Sequence, residues 1–245
     1  MTDIRRIAVL GGAGGIGRAL VNALVEGGDE VVVLDLAASL ERHSLDVPSV
    51  AVDVLSEASI GTAMQELSSR VPALDGFVNL AGYNSRIQPL AETSSDYFDD
   101  VIAGNLRGAF LSTKAVMPLM AEGGSVVMVA SGLAHFVRPG YGSYAAAKAG
   151  VVALTKTFAH EWALTVRVNA VAPGLVDTAF LRGGTGRSDE SGESVVSLEA
   201  YRNAIPMKRL AYPDDVVGPI RFLLGQDSAY MTGQVLWVNG GGYMP

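Results

Sequence analysis

A chain of 245 residues is long enough for one large domain with a well-filled core, and nothing in its length requires a second domain. The 18 basic and 25 acidic residues give a formal net charge of -7, which argues against a broad nucleic-acid surface or an anionic membrane as partner. The sequence contains no cysteine, which excludes disulfides, thiolate metal sites and a cysteine nucleophile, and its start resembles neither a signal peptide nor a membrane span, so we expect a cytoplasmic protein.

Seven short apolar runs rich in β-branched residues predict seven strands. They cover residues 6–10, 30–35, 49–53, 76–81, 125–131, 166–172 and 234–239. Segments with helical spacing separate most of them, and the first of these, from Ile16 to Leu24, is followed by Gly27 and Gly28 as a C-cap. This alternation predicts right-handed βαβ units, and hence a single α/β domain over 1–245 with a doubly wound (Rossmann) parallel sheet flanked by helices.

The stretch LGGAGGIGRAL follows the first predicted strand and opens the first helix. Such a turn presents backbone N–H groups and the positive end of a helix dipole to an anion, and a pyrophosphate fits there. Its five glycines allow two spacings: Gly12, Gly14 and Gly17 fit G-x-G-x-x-G, whereas Gly11, Gly15 and Gly17 fit G-x-x-x-G-x-G. The stretch by itself does not decide between them.

Two aspartates end the second and third predicted strands. Asp35 stands eighteen residues after Gly17, where its carboxylate can accept hydrogen bonds from both adenosine ribose hydroxyls. The same charge would repel a 2'-phosphate, and neither Ala13 nor Gly14 supplies a compensating cation, so NAD is favoured over NADP. Asp53 is placed to meet the adenine amino group. The alternative for both aspartates is an ordinary residue of a strand-end turn.

A long helix is predicted over 142–162, and Tyr144 and Lys148, four residues apart, lie on one face of it. A tyrosine hydroxyl has a pKa near 10, but a nearby ammonium favours the phenolate. Tyr144 can then serve as a general acid/base. Such a pair alone more often decorates a surface, so its interpretation depends on its context.

With that context the residues resemble the short-chain dehydrogenase/reductase family, in which Tyr-x-x-x-Lys is preceded by a serine thirteen residues upstream and by a more distant asparagine. Ser131 and Asn105 stand at those positions. The resemblance covers essentially the whole chain. NLAG at 79–82 resembles the family's N-N-A-G, VNAVAPGLVDT at 168–178 its N-x-x-x-P-G segment, and TGQVLWVNGG at 232–241 its terminal strand and glycine turn.

The resemblance implies a catalytic tetrad. Tyr144 would be the acid/base for the substrate hydroxyl or carbonyl, and Ser131 would hydrogen-bond the same oxygen. Lys148 would lower the pKa of Tyr144 and bind the nicotinamide ribose, and Asn105 would hold a water that links Lys148 to solvent. Hydride would pass directly between the nicotinamide ring and the carbinol carbon, without a metal.

The family's glycine motif, T-G-x-x-x-G-x-G, selects the register of Gly11, Gly15 and Gly17. Gly12 and Gly14 then become permissive positions. We therefore expect Gly12→Ala to be tolerated better than Gly15→Ala or Gly17→Ala.

Three residues depart from the family's pattern: Leu10 replaces threonine, Leu80 the second asparagine of N-N-A-G, and Asn239 the usual aspartate. None of them lies on the implied path of the proton or the hydride. The positions implied to contact the cofactor are Gly11, Gly15, Ile16, Gly17, Asp35, Asp53, Val54, Leu80, Ala81, Gly82, Tyr144, Lys148, Pro173, Gly174, Val176 and Thr178.

Candidate substrate residues follow the fourth, fifth and sixth strands. They are Tyr83, Asn84, Arg86, Leu133, His135, Arg138, Leu175, Phe180 and Leu181. Arg86 or Arg138 can hold a carboxylate, although an exposed arginine is more often only solvated, and the lone His135 is more often structural. Segment 179–205, with a Gly- and Ser-rich stretch at 182–194, is expected to be a substrate-binding loop or lid, the alternative being a disordered surface.

These observations predict an NAD-dependent oxidoreductase that interconverts a secondary alcohol and a ketone, acting on CH–OH groups. The alternative is a 3-oxoacyl-ACP or 3-oxoacyl-CoA reductase, although MAEGG, before the fifth strand, offers no basic face to an acidic carrier protein. A remote alternative is a non-catalytic NAD-sensing protein. The expected partner is a small-molecule substrate rather than nucleic acid or membrane, and the family implies a homotetramer or homodimer formed through helices near 95–120 and 142–162 and the C-terminal strand.

Overall fold

Seven strands of the described chain form one parallel sheet. The computed structural model describes residues 4–182, 186, 188, 190 and 196–244. The strands are β1 (Arg6–Leu10), β2 (Glu30–Asp35), β3 (Ser49–Ala51), β4 (Leu74–Asn79), β5 (Met120–Val129), β6 (Val166–Pro173) and β7 (Val235–Val238). Their order in the sheet is β3-β2-β1-β4-β5-β6-β7, and every neighbouring pair is parallel. The predicted doubly wound α/β domain is confirmed.

Helices connect the strands. They are α1 (Gly15–Glu26), α2 (Ala37–Arg42), α3 (Glu57–Arg70), α4 (Ser95–Ile102), α5 (Gly108–Val116), α6 (Gly142–Trp162), α7 (Leu198–Ala204) and α8 (Pro213–Leu224). A π-helical turn, Ala103–Arg107, joins α4 to α5. Short 3-10 turns occur at Leu90–Glu92, Met117–Leu119, Gly132–Ala134, Ala179–Arg182 and Gln226–Ser228. In the ranges that the structure describes, no helix is long and apolar enough to span a bilayer.

Successive residues of a strand point to opposite faces of the sheet, and helices cover both faces. In β1, Ile7 and Val9 pack with apolar side chains of α1 and α8. Ala8 and Leu10 pack on the other side, with side chains of α3, α5 and α6. Continuous apolar runs such as RIAVL therefore form strands with two covered faces rather than one.

The order of the sheet reverses at β1, whose neighbours are β2 and β4. Connections leaving the carboxyl ends of β1 and β4 diverge to opposite faces of the sheet, and this opens a crevice between them. The glycine-rich turn after β1 lies at this crevice, so the topology places the predicted pyrophosphate site where open α/β sheets bind their ligands.

Two observed element boundaries differ from the predicted ones, for reasons that the periodicity of apolar residues does not show. The fourth strand was expected over 76–81 but ends at Asn79, because Asn79 Oδ1 accepts a hydrogen bond from Ala81 N at 3.2 Å and turns the chain out of the sheet. The helix expected over 95–120 is instead α4, the π turn and α5, and it ends before β5 begins at Met120.

Candidate active site

The glycine-rich turn has steric requirements that match the register of Gly11, Gly15 and Gly17. Gly11 has φ +82°, and a Cβ there would lie 3.0 Å from the backbone of both Leu80 and Ala81. A Cβ on Gly15 would lie 2.6 Å from Thr178 Cγ2. A Cβ on Gly17 would overlap the carbonyl oxygen of Gly11. Each glycine therefore brings the turn close to another segment.

The expectation that Gly12 has room for a side chain is wrong, whereas the expected order, with Gly12→Ala tolerated better than Gly15→Ala or Gly17→Ala, stays a prediction. A Cβ at Gly12 would lie 2.8 Å from Cγ1 of Val33 and 2.9 Å from its Cγ2, and Val33 is fully buried in β2. At Gly14 the nearest atom to an added Cβ is Gly11 O, at 3.2 Å. Of the two positions outside the motif, only Gly14 has room for a methyl group.

The start of α1 can receive an anion. Its N-cap is Gly14, which has no side chain to accept hydrogen bonds from the first turn of the helix. The N–H groups at Gly15, Ile16 and Gly17 therefore lack a side-chain cap, and all three residues line the cleft. These groups and the space kept by the glycines fit a pyrophosphate.

Asp35 holds its predicted place at the end of β2 and lines the same cleft. Its Oδ2 accepts a hydrogen bond from Ala13 N at 2.9 Å, and its Oδ1 accepts one from Leu36 N at 2.8 Å. Burial raises the pKa of this carboxyl, and the two backbone hydrogen bonds oppose the rise. The Ser39 side chain also interacts with this carboxylate, which still keeps acceptor capacity for a ribose hydroxyl.

The remaining positions predicted to contact a cofactor divide into two groups. Asp53 is not among the residues lining the cleft, although Val52 and Val54 on either side of it are, and its Oδ1 accepts a hydrogen bond from Leu55 N at 2.9 Å. All the others line the cleft; beyond those described above they are Leu80, Ala81, Gly82, Tyr144, Lys148, Pro173, Gly174, Val176 and Thr178.

Tyr144 and Ser131 meet where β5 and α6 approach each other. Ser131 lies two residues beyond β5, and Tyr144 stands in the first turn of α6, where only 9% of its surface is exposed. The Ser131 hydroxyl is near enough to that of Tyr144 to lower the Tyr144 pKa against the effect of burial. Ser131 Oγ also accepts from Leu133 N at 3.2 Å, which fixes the hydroxyl in the cleft. Both hydroxyl groups thus belong to residues that line the same cleft, and their catalytic roles stay a prediction.

Lys148 lies one helical turn after Tyr144 and is 3% exposed. Its Nζ donates to Val129 O at 3.0 Å and lies 5.6 Å from the centroid of the Tyr144 ring. A Cβ on Gly82 would be 3.1 Å from this Nζ and 2.5 Å from Asn105 Oδ1. The absence of a side chain at Gly82 therefore lets Lys148 and Asn105 converge on the same loop.

Asn105 sits in the π turn and is fully buried. Its Nδ2 donates to Tyr83 O at 2.8 Å and to Val101 O at 2.9 Å, while its Oδ1 accepts from Tyr83 N at 3.1 Å. Both amide hydrogens are used within the protein. A water held by Asn105 must therefore be bound through an oxygen atom of this residue, and the side chain also anchors the loop that follows β4.

The expected lowering of the Tyr144 pKa is not what this geometry produces. Burial raises the pKa of the Tyr144 phenol well above its usual value, and the hydrogen bond with Ser131 opposes the rise. Burial also lowers the pKa of Lys148 to about 8. Burial is the largest cause of both shifts, so the phenol is protonated at neutral pH before ligands bind.

The low pKa of Lys148 makes a prediction for folding. Between pH 8 and 10.5 the unfolded chain binds more protons at this lysine than the folded chain, so the free energy of unfolding should rise with pH. Relative to Lys148→Met, we expect the ligand-free protein to gain about 2 kcal/mol from pH 8 to 10. Urea unfolding of both proteins at pH 7, 8, 9 and 10 measures the difference, and parallel profiles would contradict the prediction.

The far half of the cleft is largely apolar and aromatic. Of the predicted substrate residues, those that line it are Tyr83, Asn84, Leu133, Arg138, Leu175, Phe180 and Leu181. Arg86 instead lies over the ring of Tyr97, with Cζ 5.0 Å from the centroid, and does not line the cleft. His135 packs against Trp237 and Tyr243, at centroid distances of 6.1 and 5.1 Å, which agrees with the structural interpretation of this residue.

The predicted loop over 179–205 lies partly outside the described residues, which omit 183–185, 187, 189 and 191–195. Its described flanks border the cleft through Phe180 at one end and Tyr201 at the other. The ring of Phe180 lies 6.0 Å from that of Tyr144, centroid to centroid. The two flanks thus border the same cleft as Tyr144, and the lid itself stays a prediction.

Sequence reasoning missed three tyrosines that line the cleft, Tyr141, Tyr201 and Tyr243. Tyr141 precedes α6 and lines the cleft. Tyr201 comes from α7, and its hydroxyl oxygen accepts a hydrogen bond from Leu175 N at 2.9 Å. The position of Tyr141, three residues before Tyr144, is a signal in the sequence that could have identified it as a cleft residue. No local pattern marks Tyr201, because only the return of α7 across the carboxyl end of the sheet brings it to the cleft.

No group of three or more His, Asp or Glu side chains in the described ranges is arranged to hold a metal ion.

Comparison with known proteins gives a consistent family likeness. A family model described as enoyl-(acyl carrier protein) reductase matches residues 11–243. An uncharacterized short-chain type dehydrogenase/reductase, y4vI of Sinorhizobium fredii, is 37% identical over 243 residues, which are 97% of this chain and 43% of that protein. The chain therefore spans less than half the length of this relative.

Two further comparisons cover nearly all of both proteins. The 3-oxoacyl-[acyl-carrier-protein] reductase FabG of Thermotoga maritima is 33% identical over 244 residues, 95% of each chain. A crystal structure titled short-chain dehydrogenase/reductase SDR:Glucose/ribitol dehydrogenase, from Brucella melitensis, superposes with a TM-score of 0.88 at 26% identity, over 98% of this chain and 97% of that one. Sequence and backbone likeness thus extend through the sheet and the cleft.

Proposed function

The chain belongs to the short-chain dehydrogenase/reductase family, and from this premise we propose that it is an NAD-dependent oxidoreductase that interconverts a secondary alcohol and a ketone. The observation that carries the proposal is the meeting of the Tyr144 and Ser131 hydroxyls beside the buried Lys148, in a cleft continuous with the glycine-rich turn. This arrangement supplies an acid/base and an oxygen-binding donor next to a nucleotide site.

The chain's own residues divide the work along the cleft. The N-terminus of α1 binds the pyrophosphate, and Asp35 binds the adenosine ribose. Bound NAD supplies the hydride chemistry. Ser131 and Tyr144 hold the substrate oxygen. In reduction, the Tyr144 phenol donates its proton to the carbonyl oxygen, and in oxidation the phenolate takes the proton of the hydroxyl.

Lys148 contributes charge rather than a proton to the substrate. With a pKa of about 8 its ammonium is charged at neutral pH, and it lies 5.6 Å from the Tyr144 ring centroid. Because the site is buried, this charge is weakly screened and stabilises the phenolate as it forms. The raised pKa keeps the resting phenol protonated, and the lysine charge lowers the cost of the phenolate that forms when the proton is donated.

The choice of NAD rests on Asp35. In a steady-state assay at 340 nm with cyclic, aromatic and hydroxyacyl secondary alcohols, we expect kcat/KM with NAD to exceed that with NADP by tenfold or more. Asp35→Ser removes both the ribose acceptor and the repulsion of a 2'-phosphate, so the ratio should fall about tenfold or more, as expected for loss of about 1.4 kcal/mol of discrimination.

The matched control is Asp53→Ser, which changes an aspartate at the end of the neighbouring strand outside the cleft lining. It should leave the NAD to NADP ratio close to that of the wild type. Equal efficiency of the unmodified protein with both cofactors would overturn the assignment of NAD. Absence of turnover across the panel with either cofactor would overturn the alcohol dehydrogenase activity.

A second candidate is a 3-oxoacyl thioester reductase, favoured by the 33% identity to a 3-oxoacyl-[acyl-carrier-protein] reductase. The stretch MAEGG before the core of β5 carries no basic residue for an acidic carrier protein, and the net charge of the chain is -7. Including an acetoacetyl thioester in the same assay separates the two functions. A kcat/KM for the thioester far above that of every free ketone would favour the second.

Assembly into a homotetramer or homodimer is part of the proposal. Phe110 of α5 is 37% exposed and stacks on Phe158 of α6, which in turn stacks on Trp162 with centroids 4.4 Å apart. The edge strand β7, sequence VLWV, is only partly covered. Apolar helix faces and an uncovered apolar edge strand are surfaces that a second copy of the chain can bury.

A further inference from the structure

We propose that the cleft binds substrates carrying an oxyanion, such as a carboxylate, and that Arg138 is the residue that binds this group. The inference deepens the proposed function and rests on it, since it names the class of alcohol or ketone that the same site takes. It also separates the two arginines that the sequence left as alternatives, because Arg86 lies over Tyr97 outside the cleft whereas Arg138 lines it.

Two aromatic rings position the Arg138 side chain. Its Cζ lies 5.7 Å from the ring centroid of Phe136 and 5.6 Å from that of Tyr201. The Tyr201 ring is itself fixed, because its hydroxyl accepts the hydrogen bond from Leu175 N. Aromatic faces attract a guanidinium without neutralising its charge. The side chain is therefore held in place while its N–H donors stay available.

The charge of Arg138 is not balanced within the described part of the chain, where no carboxylate lies within ion-pair distance of its guanidinium. Two other arginines that follow β6 are paired: Arg182 with Asp177 at 3.1 Å and Arg209 with Asp215 at 2.6 Å. An arginine presents five N–H donors in a planar fork that fits a carboxylate or a similar oxyanion. A ligand oxyanion would supply the missing partner.

Arg138 stands close to the catalytic tyrosine but not beside it. Tyr141 lies between them in sequence and interacts electrostatically with both. Burial raises the pKa of Tyr141, and the Arg138 charge opposes that rise. A substrate oxygen at Tyr144 and an oxyanion at Arg138 therefore occupy different parts of the same cleft. The anionic group must be attached away from the reacting carbon.

The wall between these two points is apolar. Leu133, Phe136, Phe180 and Tyr243 line it together with Tyr141. An apolar body, such as an aromatic or alicyclic ring, fits this wall, and the exposed Arg138 side chain receives the oxyanion at the mouth of the cleft. The substrate class that follows is a ring-bearing secondary alcohol, or the matching ketone, with a carboxylate or comparable oxyanion at the far end of the ring.

The test compares matched neutral and anionic substrates. Wild-type protein with NAD is assayed on 4-(1-hydroxyethyl)benzoate and its methyl ester, and on the corresponding cyclohexane pair. We expect a higher kcat/KM for the carboxylate, and we expect Arg138→Met to lower the carboxylate-to-ester ratio about 10- to 100-fold, mainly through KM. Arg138→Lys should recover part of the ratio, because an ammonium keeps the charge but loses the fork.

Arg86→Met is the matched control, since it removes an arginine from the neighbouring loop outside the cleft, and its ratio should equal that of the wild type. A ratio unchanged by Arg138→Met, in a protein whose circular dichroism and thermal midpoint match the wild type, would overturn the inference. In that case turnover of the esters would leave the proposed function standing.

A binding measurement keeps the two proposals distinguishable if neither alcohol is turned over. 4-Acetylbenzoate and its methyl ester are titrated onto the NADH-loaded protein by calorimetry. Tighter binding of the carboxylate, lost in Arg138→Met, would support the anion site while the proposed oxidoreductase activity failed on these substrates. Equal affinity for carboxylate and ester, or no binding of either, would overturn the anion site.

Discussion

Replacing Tyr144 with phenylalanine is expected to lower kcat for secondary-alcohol oxidation by about 10²- to 10⁴-fold, the usual contribution of a positioned general acid/base. The variant keeps the buried ring and loses only the hydroxyl that interacts with Ser131. Since the ring still packs near Phe180, with centroids 6.0 Å apart in the unmodified protein, the fold and the nucleotide site should be preserved. Steady-state kinetics and NADH fluorescence titration measure the two effects separately.

Tyr141→Phe is the control for this experiment. Tyr141 is also a partly buried tyrosine of the cleft, but Tyr144, three residues later, is the one that lies one helical turn before Lys148. Loss of the Tyr141 hydroxyl should change kcat by less than tenfold. A folded Tyr144→Phe protein that binds NADH and turns over at a near-normal rate would remove Tyr144 from the reaction. It would also revive the interpretation of the chain as an NAD-binding protein without catalysis.

Gly17→Ala is expected to damage the nucleotide site more than any other single methyl group in the glycine-rich turn. The new Cβ would overlap Gly11 O and lie 2.6 and 2.7 Å from Gly12 Cα and O. All three contacts are with backbone, so either the turn or α1 must move. We expect NADH affinity to fall at least tenfold and the free energy of unfolding to fall by about 1–3 kcal/mol.

Gly14→Ala serves as the matched variant because Gly14 belongs to the same turn, has φ -71°, and has no atom nearer than 3.2 Å to an added Cβ. Its NADH affinity should stay within a few-fold of the wild type. Fluorescence titration measures the NADH affinity of both variants, and urea unfolding measures their free energies of unfolding. If Gly14→Ala were the more damaging of the two, the phosphate-binding register argued from Gly11, Gly15 and Gly17 would have to be abandoned.

The sequence contained the order and type of the major elements because apolar periodicity and glycine punctuation are local properties. It placed β1 and β2 at their observed bounds but extended the fourth strand two residues too far. The chain turns at Asn79 because one side-chain oxygen competes for the Ala81 N–H, and a hydropathy pattern does not contain this competition. It also did not contain the π turn between α4 and α5.

In the cleft, the sequence identified Ser131, Tyr144 and Lys148, since their spacing is fixed along the chain. Sequence reasoning misjudged the space at Gly12 and the pKa of Tyr144, because both depend on residues from other helices and strands. Gly12 is crowded by Val33 of an adjacent strand. The pKa of Tyr144 is set mainly by burial, which emerges only after α6 has packed on the sheet.

The π turn at Ala103–Arg107 makes the site sensitive to the number of residues in this turn as well as to their identity. The turn accommodates one residue more than an α-helix would between the same two flanks. Deleting a neighbour of Asn105 from this stretch would let it close into a regular α-helix, which changes the turn itself while α4 and α5 keep their relative orientation. Asn105 would then lose its alignment with Val101 O and the Tyr83 backbone. A single-residue deletion would therefore reach the active-site loop even where the deleted side chain touches nothing in it.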